Sequence, residues 1–251
     1  MGEVRIATSG WHYASWWGPF FPENIRKKDA LIYYASQFSA TELNAPFYRT
    51  PTLEAVRGWV EQTPDDFLFA WKASKFITHW KRLSERCENS LALLESRLKI
   101  LGRKAGPVLF QLPPQFEADR ERLAAFLKML PKRRRTVFEF RHTSWYDEAV
   151  LALLRDHDIA LCISDHHHAP APWEVTARHV YLRPHGPGGR YQGSYRADVL
   201  RNWAVQIRRW QRQGRDVFCF FDNDQKSAAP KDARRLAELV GCERKARSRA
   251  A

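Results

Sequence analysis

Charged and amide side chains recur in this chain at the ends of short apolar runs, where folding would stand them side by side. Glu42 and Asn44 close ATELN, Lys72 closes FLFAWK, Gln111 follows VLF, and Glu139 and Arg141 punctuate VFEFR. Asp165 ends ALCISD, Arg183 and His185 fall in VYLRPH, and Asn223 ends FCFFDN. Each lies an even number of positions from an apolar neighbour: Glu42 from Ala40, Lys72 from Leu68 and Ala70, Gln111 from Leu109, Glu139 from Val137. Likewise Asp165 follows Leu161 and Ile163, Arg183 follows Tyr181, and Asn223 follows Cys219 and Phe221. In a strand that spacing puts polar and apolar residues on one face. Burying such a group unpaired costs about 1–3 kcal/mol, so this recurrence points to a shared pocket. The competing reading is a plug of structural salt bridges.

Lys72, Arg141 and Arg183 facing Glu42, Glu139 and Asp165 suit anion binding or proton transfer. As an enzyme, the chain would use these cations to hold a small anionic or phosphorylated substrate. Glu42 or Glu139 would be the general base and His185 or His79 the general acid, with Lys72 drawn into the chemistry. Hydrolysis or isomerisation fits better than redox chemistry, because ATSGWHY is not a GxGxxG dinucleotide fingerprint. Glu42, Glu139, Asp165, His79 and His185 are also ligand types for Zn²⁺, Mn²⁺ or Mg²⁺. Three cations in the same pocket weigh against that version, so no cofactor is assigned. His166, His167 and His168 are adjacent, and in an extended segment they would point opposite ways, as a surface cluster.

Trp11, Trp16, Trp17, Trp80, Trp145 and Trp173 fall in the connections beyond these ends. They either roof the core or form an aromatic rim on which bases or sugar rings stack. HGPGGRYQGSY offers Gly186, Gly188, Gly189 and Arg190 as a phosphate cradle, or is a plain flexible loop.

The elements that would position these residues alternate along the chain. Eight β-rich runs are expected at Val4–Ser9, Ala40–Asn44, Phe67–Ala73, Val108–Leu112, Thr136–Arg141, Ala160–Asp165, His179–Pro184 and Asp216–Asn223. Helical spacing marks Lys28–Phe38, Leu53–Gln62, Ser84–Gly102, Ala118–Leu130, Tyr146–His157, Ala197–Gln213 and Pro230–Val240. His166–Arg178 carries two prolines and reads as a loop. Strict alternation implies a parallel sheet, and closure removes its edges. The expectation is one α/β domain over residues 1–241, a (β/α)8 TIM-barrel-like fold with parallel strands; an open doubly wound sheet is the alternative.

Ten Trp, eight Tyr and fifteen Phe in 251 residues exclude a disordered chain. No apolar run is long enough for a membrane span, and the N-terminus shows no signal-peptide pattern, so a cytoplasmic protein is expected. Cys87, Cys162, Cys219 and Cys242 lack CxxC spacing and read as free thiols. Lys and Arg outnumber Asp and Glu by 41 to 28, giving a formal charge of +13. Such a balance favours phosphorylated metabolites, other anions or nucleic acid. Part of it is peripheral. Residues 242–251 form a basic tail expected to hang free, and Lys132–Arg135 would lie at the far end of the barrel. Arg201, Arg208, Arg209, Arg212 and Arg215 coat one helix.

TSGWHYASWWGPFFP, ELNAPFYRTP, KASKFITH, VLFQLPPQF, FEFRHTSW, YLRPHG and FFDND resemble, in this order, the domain-of-unknown-function 72 family across roughly residues 5–240. The resemblance implies a TIM-barrel-like fold and names no chemistry. Its recurrent positions here are Trp11, Glu42, Asn44, Tyr48, Lys72, Thr78, His79, Gln111, Glu139, Arg141, Trp145, Arg183, His185 and Asn223. The family's eighth-strand ending usually reads F-N-N-D, then a glycine and a further Asn. This chain instead has Phe221-Asp222-Asn223-Asp224, then Ser227 and Lys231-Asp232-Ala233. Besides the enzyme, two other classes therefore stand: a nucleic-acid-binding or processing protein, and a ligand-binding sensor without turnover. No oligomeric state follows from the sequence.

Overall fold

The β-rich runs pair in chain order, each held to the next by parallel ladders. A computed structural model describes residues 1–244 of the chain. The strands are β1 (Val4–Thr8), β2 (Ala40–Leu43), β3 (Leu68–Lys72), β4 (Ala105–Gln111), β5 (Thr136–Glu139), β6 (Ala160–Ser164), β7 (His179–Arg183) and β8 (Asp216–Phe221). All seven ladders are parallel, in the order β1-β8-β7-β6-β5-β4-β3-β2. The helices are α1 (Ala30–Gln37), α2 (Ala45–Tyr48), α3 (Leu53–Glu61), α4 (Glu88–Leu101), α5 (Arg120–Met129), α6 (Glu148–Asp156), α7 (Ala197–Arg212) and α8 (Ala228–Val240). Thr52, Asp119 and Asp147 cap α3, α5 and α6 by accepting the backbone N–H three residues on. This is the expected barrel. As expected, no regular helix follows β6.

Closure between β1 and β2 is incomplete and occurs at the carboxyl end. Ser9 bridges to Glu42, the Gly10 N–H donates to the Glu42 carbonyl at 2.7 Å, and Thr41 Oγ1 donates to the Thr8 carbonyl at 3.2 Å. Below that point a side chain fills the seam. Tyr34 Oη, from α1, accepts from the Thr8 N–H at 3.1 Å and reaches the Ala40 carbonyl at 3.2 Å. Backbone groups that a ladder would pair are satisfied instead by one buried hydroxyl.

Register fixes which residues face the barrel axis. Glu42 lies opposite Ala70, Lys72 opposite Leu109, Gln111 opposite Glu139, and Ser164 opposite Arg183. Tyr181 lies opposite both Cys162 and Phe218, and Ala7 opposite Phe220. The inward set is thus Ala7 and Ser9, Glu42, Lys72, Gln111, Glu139, Cys162 and Ser164, Tyr181 and Arg183, Phe218 and Phe220. For β6 and β8 this is the opposite parity to that expected. Asp165 and Asn223 point outward, while Ser164 and Asp222 point in.

Cys87, Cys162 and Cys219 are buried free thiols, and Cys242 is half-buried. Of the basic tail, Cys242–Arg244 lie against the body, Arg244 reaching Asp66 at 3.0 Å; residues 245–251 fall outside the described residues. Among the described residues, no helix is long and apolar enough to cross a membrane.

Candidate active site

At the carboxyl ends of the strands a single guanidinium organises three carboxylates. Arg183, fully buried, donates from Nε to both Glu42 oxygens at 3.0 Å and from Nη2 to Glu42 Oε1 at 2.7 Å. Its Nη1 donates to Glu139 Oε2 at 3.1 Å, and its Nη2 lies 3.0 Å from Asp222 Oδ2. Glu42 also accepts from the Ser9 and Tyr181 hydroxyls. Arg141 adds a second cation, with Nη2 2.5 Å from Glu139 Oε1 and Nη1 donating to Tyr191 Oη at 3.0 Å. Burial disfavours the charge of Glu42, but Arg183 outweighs it and holds the carboxyl below the usual range. Glu139 is held low in the same way by Arg141 and Arg183.

His185 completes this cluster without being able to act as an acid. Its Nε2 is 3.0 Å from Arg141 Nη2 and 3.1 Å from Arg183 Nη1, so it accepts from both guanidiniums. The proton therefore sits on Nδ1, towards Ser164 Oγ at 3.3 Å. Burial, then Arg141 and Arg183, push its pKa well below the ordinary value. Nor are Glu42 and Glu139 free bases, since both are buried and spend their oxygens on cations. The guanidinium of Arg183 occupies the position among the carboxylates that a cation ligand would take. Among the described residues, no three His, Cys, Asp or Glu side chains come together as a metal-binding set.

Above the cluster opens a cavity of about 460 Å³, lined in part by Trp11, Tyr13, Asn44, Tyr48, Tyr191 and Asp222, with Lys72 at its wall. Lys72 is 9% exposed, and its Nζ lies 4.3 Å from the centre of the Phe47 ring. Among the described residues it makes no hydrogen bond or ion pair. Burial, then Arg183, lower its pKa to about 8. Asp222 moves the other way: burial raises it to about 6, against the pull of Arg183 and Lys72. Asn44 donates to Ser9 Oγ at 2.7 Å, leaving its own buried Oδ1 without a partner. The cavity thus offers an unpaired ammonium, an orphan acceptor and a carboxylate poised near neutrality.

The remaining candidates divide. Trp11 and Tyr48 line the cavity. His79 stands beside it, its ring 5.0 Å from Phe47, with a pKa lowered to about 4 by burial and then Lys72. Gln111 faces inward in register with Glu139. Trp145 is not in the cavity: it is fully buried, stacked 4.8 Å from Phe140, with Nε1 donating to the Phe116 carbonyl at 2.6 Å. Asp165 accepts from the His185 N–H at 2.7 Å and from the Tyr195 hydroxyl, holding the backbone behind the site. Asn223 likewise donates outward, to the Gly193 carbonyl at 2.7 Å and to Asp232 at 3.0 Å.

Arg190 is exposed, and the glycine loop before it does not form an open anion cradle. The Gly186 N–H donates to Tyr195 Oη at 2.6 Å and the Gly189 N–H to the Gly186 carbonyl at 2.7 Å. A Cβ on Gly189 would lie 2.2 Å from the Asp165 carbonyl oxygen, so glycine serves close packing there. What the loop delivers is Tyr191, held at a positive φ of 65° over the cavity. His166–His168 form a turn instead of an extended run. Their rings lie 4.1 to 5.3 Å apart, and His166 is buried beside His185.

Sequence reasoning missed Asp222 and Tyr191. Both lie in the quoted motifs, but FCFFDN is apolar on both strand faces and marks no inward side. Tyr191 owes its place to a loop conformation that no periodicity encodes.

An eight-stranded parallel barrel with an arginine-centred charge cluster under a polar cavity is the class of protein that fold and site define. The chain belongs to the family described as "Protein of unknown function DUF72", whose model matches residues 5–251. It is 24% identical to the UPF0759 protein YunF of Bacillus subtilis, over 96% of this chain and 95% of that protein. Against the UPF0759 protein YecE of Escherichia coli K12 it is 32% identical over 47% of this chain and 43% of that one. The crystal structure of a DUF72 family protein from Thermotoga maritima superposes with a TM-score of 0.83 at 26% identity. That match covers 95% of this chain and 99% of the other.

Proposed function

We propose that the cavity is the active site of an enzyme of the hydrolase or isomerase type, acting by proton transfer on a small anionic substrate. The observation that carries this reading is Lys72. Both guanidiniums at the barrel mouth are spent on carboxylates, whereas this ammonium is nearly buried, borders the cavity and has no anionic partner among the described residues. A substrate anion would supply one. A substrate hydroxyl or N–H would satisfy Asn44 Oδ1.

With pKa values near 6 and 8, Asp222 is ionised and Lys72 protonated at pH 7. Asp222 is then the general base and Lys72 the anion anchor and general acid. Glu42, Glu139 and His185 hold Arg183 and Arg141 in place and exchange no protons. The test is a panel of small phosphate esters and carboxylic acids, scored for saturable binding and turnover. Lys72→Met should abolish binding, and Asp222→Asn should retain it while lowering kcat by about 10²–10⁴-fold. The profile of kcat/KM should be a bell with limbs near pH 6 and 8. Wild-type turnover in Lys72→Met would refute the assignment.

A second reading has its own support at the rim. Tyr48 is 70% and Trp80 66% exposed, and Lys75 Nζ lies 5.7 and 5.2 Å from their ring centres. Exposed rings alternating with cations suit stacked bases and a phosphate backbone. A single-stranded oligonucleotide should then bind with steep salt dependence, and Trp80→Ala should weaken it where Lys72→Met does not.

A further inference from the structure

The amino-terminal end of the barrel holds a second cavity, of about 440 Å³, away from the site above. Lys132, Arg133, Arg134 and Arg135 reach it from the turn between α5 and β5, and Arg178 from the residue before β7. Among the described residues, two carboxylates line it, Asp158 and Asp216. Both are taken: Arg178 lies 2.8 Å from Asp158, and Arg135 2.6 Å from Asp216. Arg134 turns to Glu95 at 2.8 Å. Among the described residues, Lys132 and Arg133 form no ion pair. The cavity therefore keeps an unneutralised positive charge.

An independent observation lies within the same cavity. His179, the first residue of β7, lines it at 5% exposure, and its buried Nε2 has no hydrogen-bond partner. It shares parity with Tyr181 and Arg183, so it stands inside the lower barrel mouth. Leaving such a nitrogen unpaired is costly, and a ligand hydroxyl would recover that cost. Burial lowers its pKa to about 4, so at neutral pH the ring is uncharged; its one proton faces the Thr136 backbone, and Nε2 is left as an acceptor for a ligand hydroxyl.

We propose that this cavity binds the phosphate group of a small phosphorylated ligand, with Lys132 and Arg133 supplying the charge and His179 Nε2 accepting a buried hydrogen bond from a hydroxyl of the ligand. Phosphate suits it better than carboxylate, because Lys132 and Arg133 leave two positive charges unmatched, which a multiply charged group neutralises. The volume is that of a small-molecule site, and its wall reaches inside the barrel mouth, where a phosphate fits and a duplex does not. In TIM barrels chemistry collects at the opposite end, so ligand here would act on stability and not on turnover.

The experiment uses the Lys72→Met protein, which separates this cavity from the proposed active site, and titrates inorganic phosphate, pyrophosphate and glycerol 3-phosphate in turn. Calorimetry should show saturable 1:1 binding, and Tm should rise with ligand concentration as the linkage relation requires. Preference for glycerol 3-phosphate over the inorganic ions would identify an ester as the ligand. Lys132→Ala with Arg133→Ala should weaken binding at least tenfold, and His179→Phe should weaken it without changing net charge. Arg201→Ala with Arg212→Ala, which removes the same charge from α7, should leave it unchanged. Equal loss in both double variants, unsaturable binding, or a DNA duplex that displaces pyrophosphate would overturn the proposal.

Discussion

Two buried lysines show how one residue type serves opposite ends. Lys104 Nζ donates to the Val60 and Thr63 carbonyls at 2.6 and 2.7 Å and to Thr63 Oγ1 at 3.2 Å, so its three hydrogens tie down the end of α3. Lys72 Nζ, against Phe47, has none of these. Burial costs both, but only Lys104 is compensated by the fold. Lys72→Met should therefore stabilise the protein by about 1–3 kcal/mol in denaturant titrations while removing anion binding. A loss of stability would mean that Lys72 is needed to balance Glu42, Glu139 and Asp222. Arg183 is the converse case. Arg183→Met leaves three carboxylates facing one another and should cost about 3–5 kcal/mol. In the sequence Lys72 and Lys104 look alike. Strand-end position distinguished Lys72, but neither its missing partner nor the full commitment of Arg183 is visible without coordinates.

At the level of elements, legibility followed the asymmetry of each strand. In β2 and β5 a charged residue interrupts an apolar run and marks the inward face, so the orientation of Glu42 and Glu139 is legible in the sequence. In β6 (ALCIS) and β8 (DVFCFF) both faces are apolar, because one meets the barrel interior and the other the helices. Parity there is set by register with β7, a long-range property, and the sequence pattern alone puts both strands one residue out. The short helix α2 and the π-helical turn Phe76–Trp80 were also unforeseen, being too brief for any periodicity. The β1–β2 seam is likewise invisible in sequence. Its pairing depends on Tyr34, a residue of α1, whose burial pushes its hydroxyl up to about 12 and keeps it protonated. Tyr34→Phe leaves the Thr8 N–H and the Ala40 carbonyl unpaired and should cost about 1–3 kcal/mol. Hydrogen exchange at the Thr8 amide should quicken more than at the β7–β8 ladder. Equal protection of that amide in the variant would show that the strands close without the hydroxyl.

The molecule as a whole buries histidines beside cations at both mouths of one barrel, and that arrangement shapes its response to acid. His79, His166, His179 and His185 all have depressed pKa values: about 4, about 3, about 4 and well below the ordinary value. Burial is the first cause in each; neighbouring cations add to it, Asp158 opposing at His179. The folded state refuses protons that the unfolded chain accepts from about pH 6.5 downward. Stability therefore rises with pH in that window and is lost as pH falls below it. Glu42 and Glu139, also depressed, extend the loss to lower pH. Asp165, Asp222, Asp224 and Asp232 are raised and act with the opposite sign, since as pH falls the folded state takes up their protons before the unfolded chain does. The unfolded chain protonates all four histidines over the whole of this range, whereas the raised carboxyls offset them only in its lower part. Between pH 7 and 5 the net loss should be on the order of a few kcal/mol, with His79 contributing least because it is partly exposed. Guanidinium midpoints measured across this range should fall steeply below pH 6.5, and His185→Gln should flatten the slope by about one proton. A midpoint constant from pH 7 to 5 would mean that the histidines are hydrated and chargeable in the folded barrel, and the dry cluster around Arg183 would have to be abandoned.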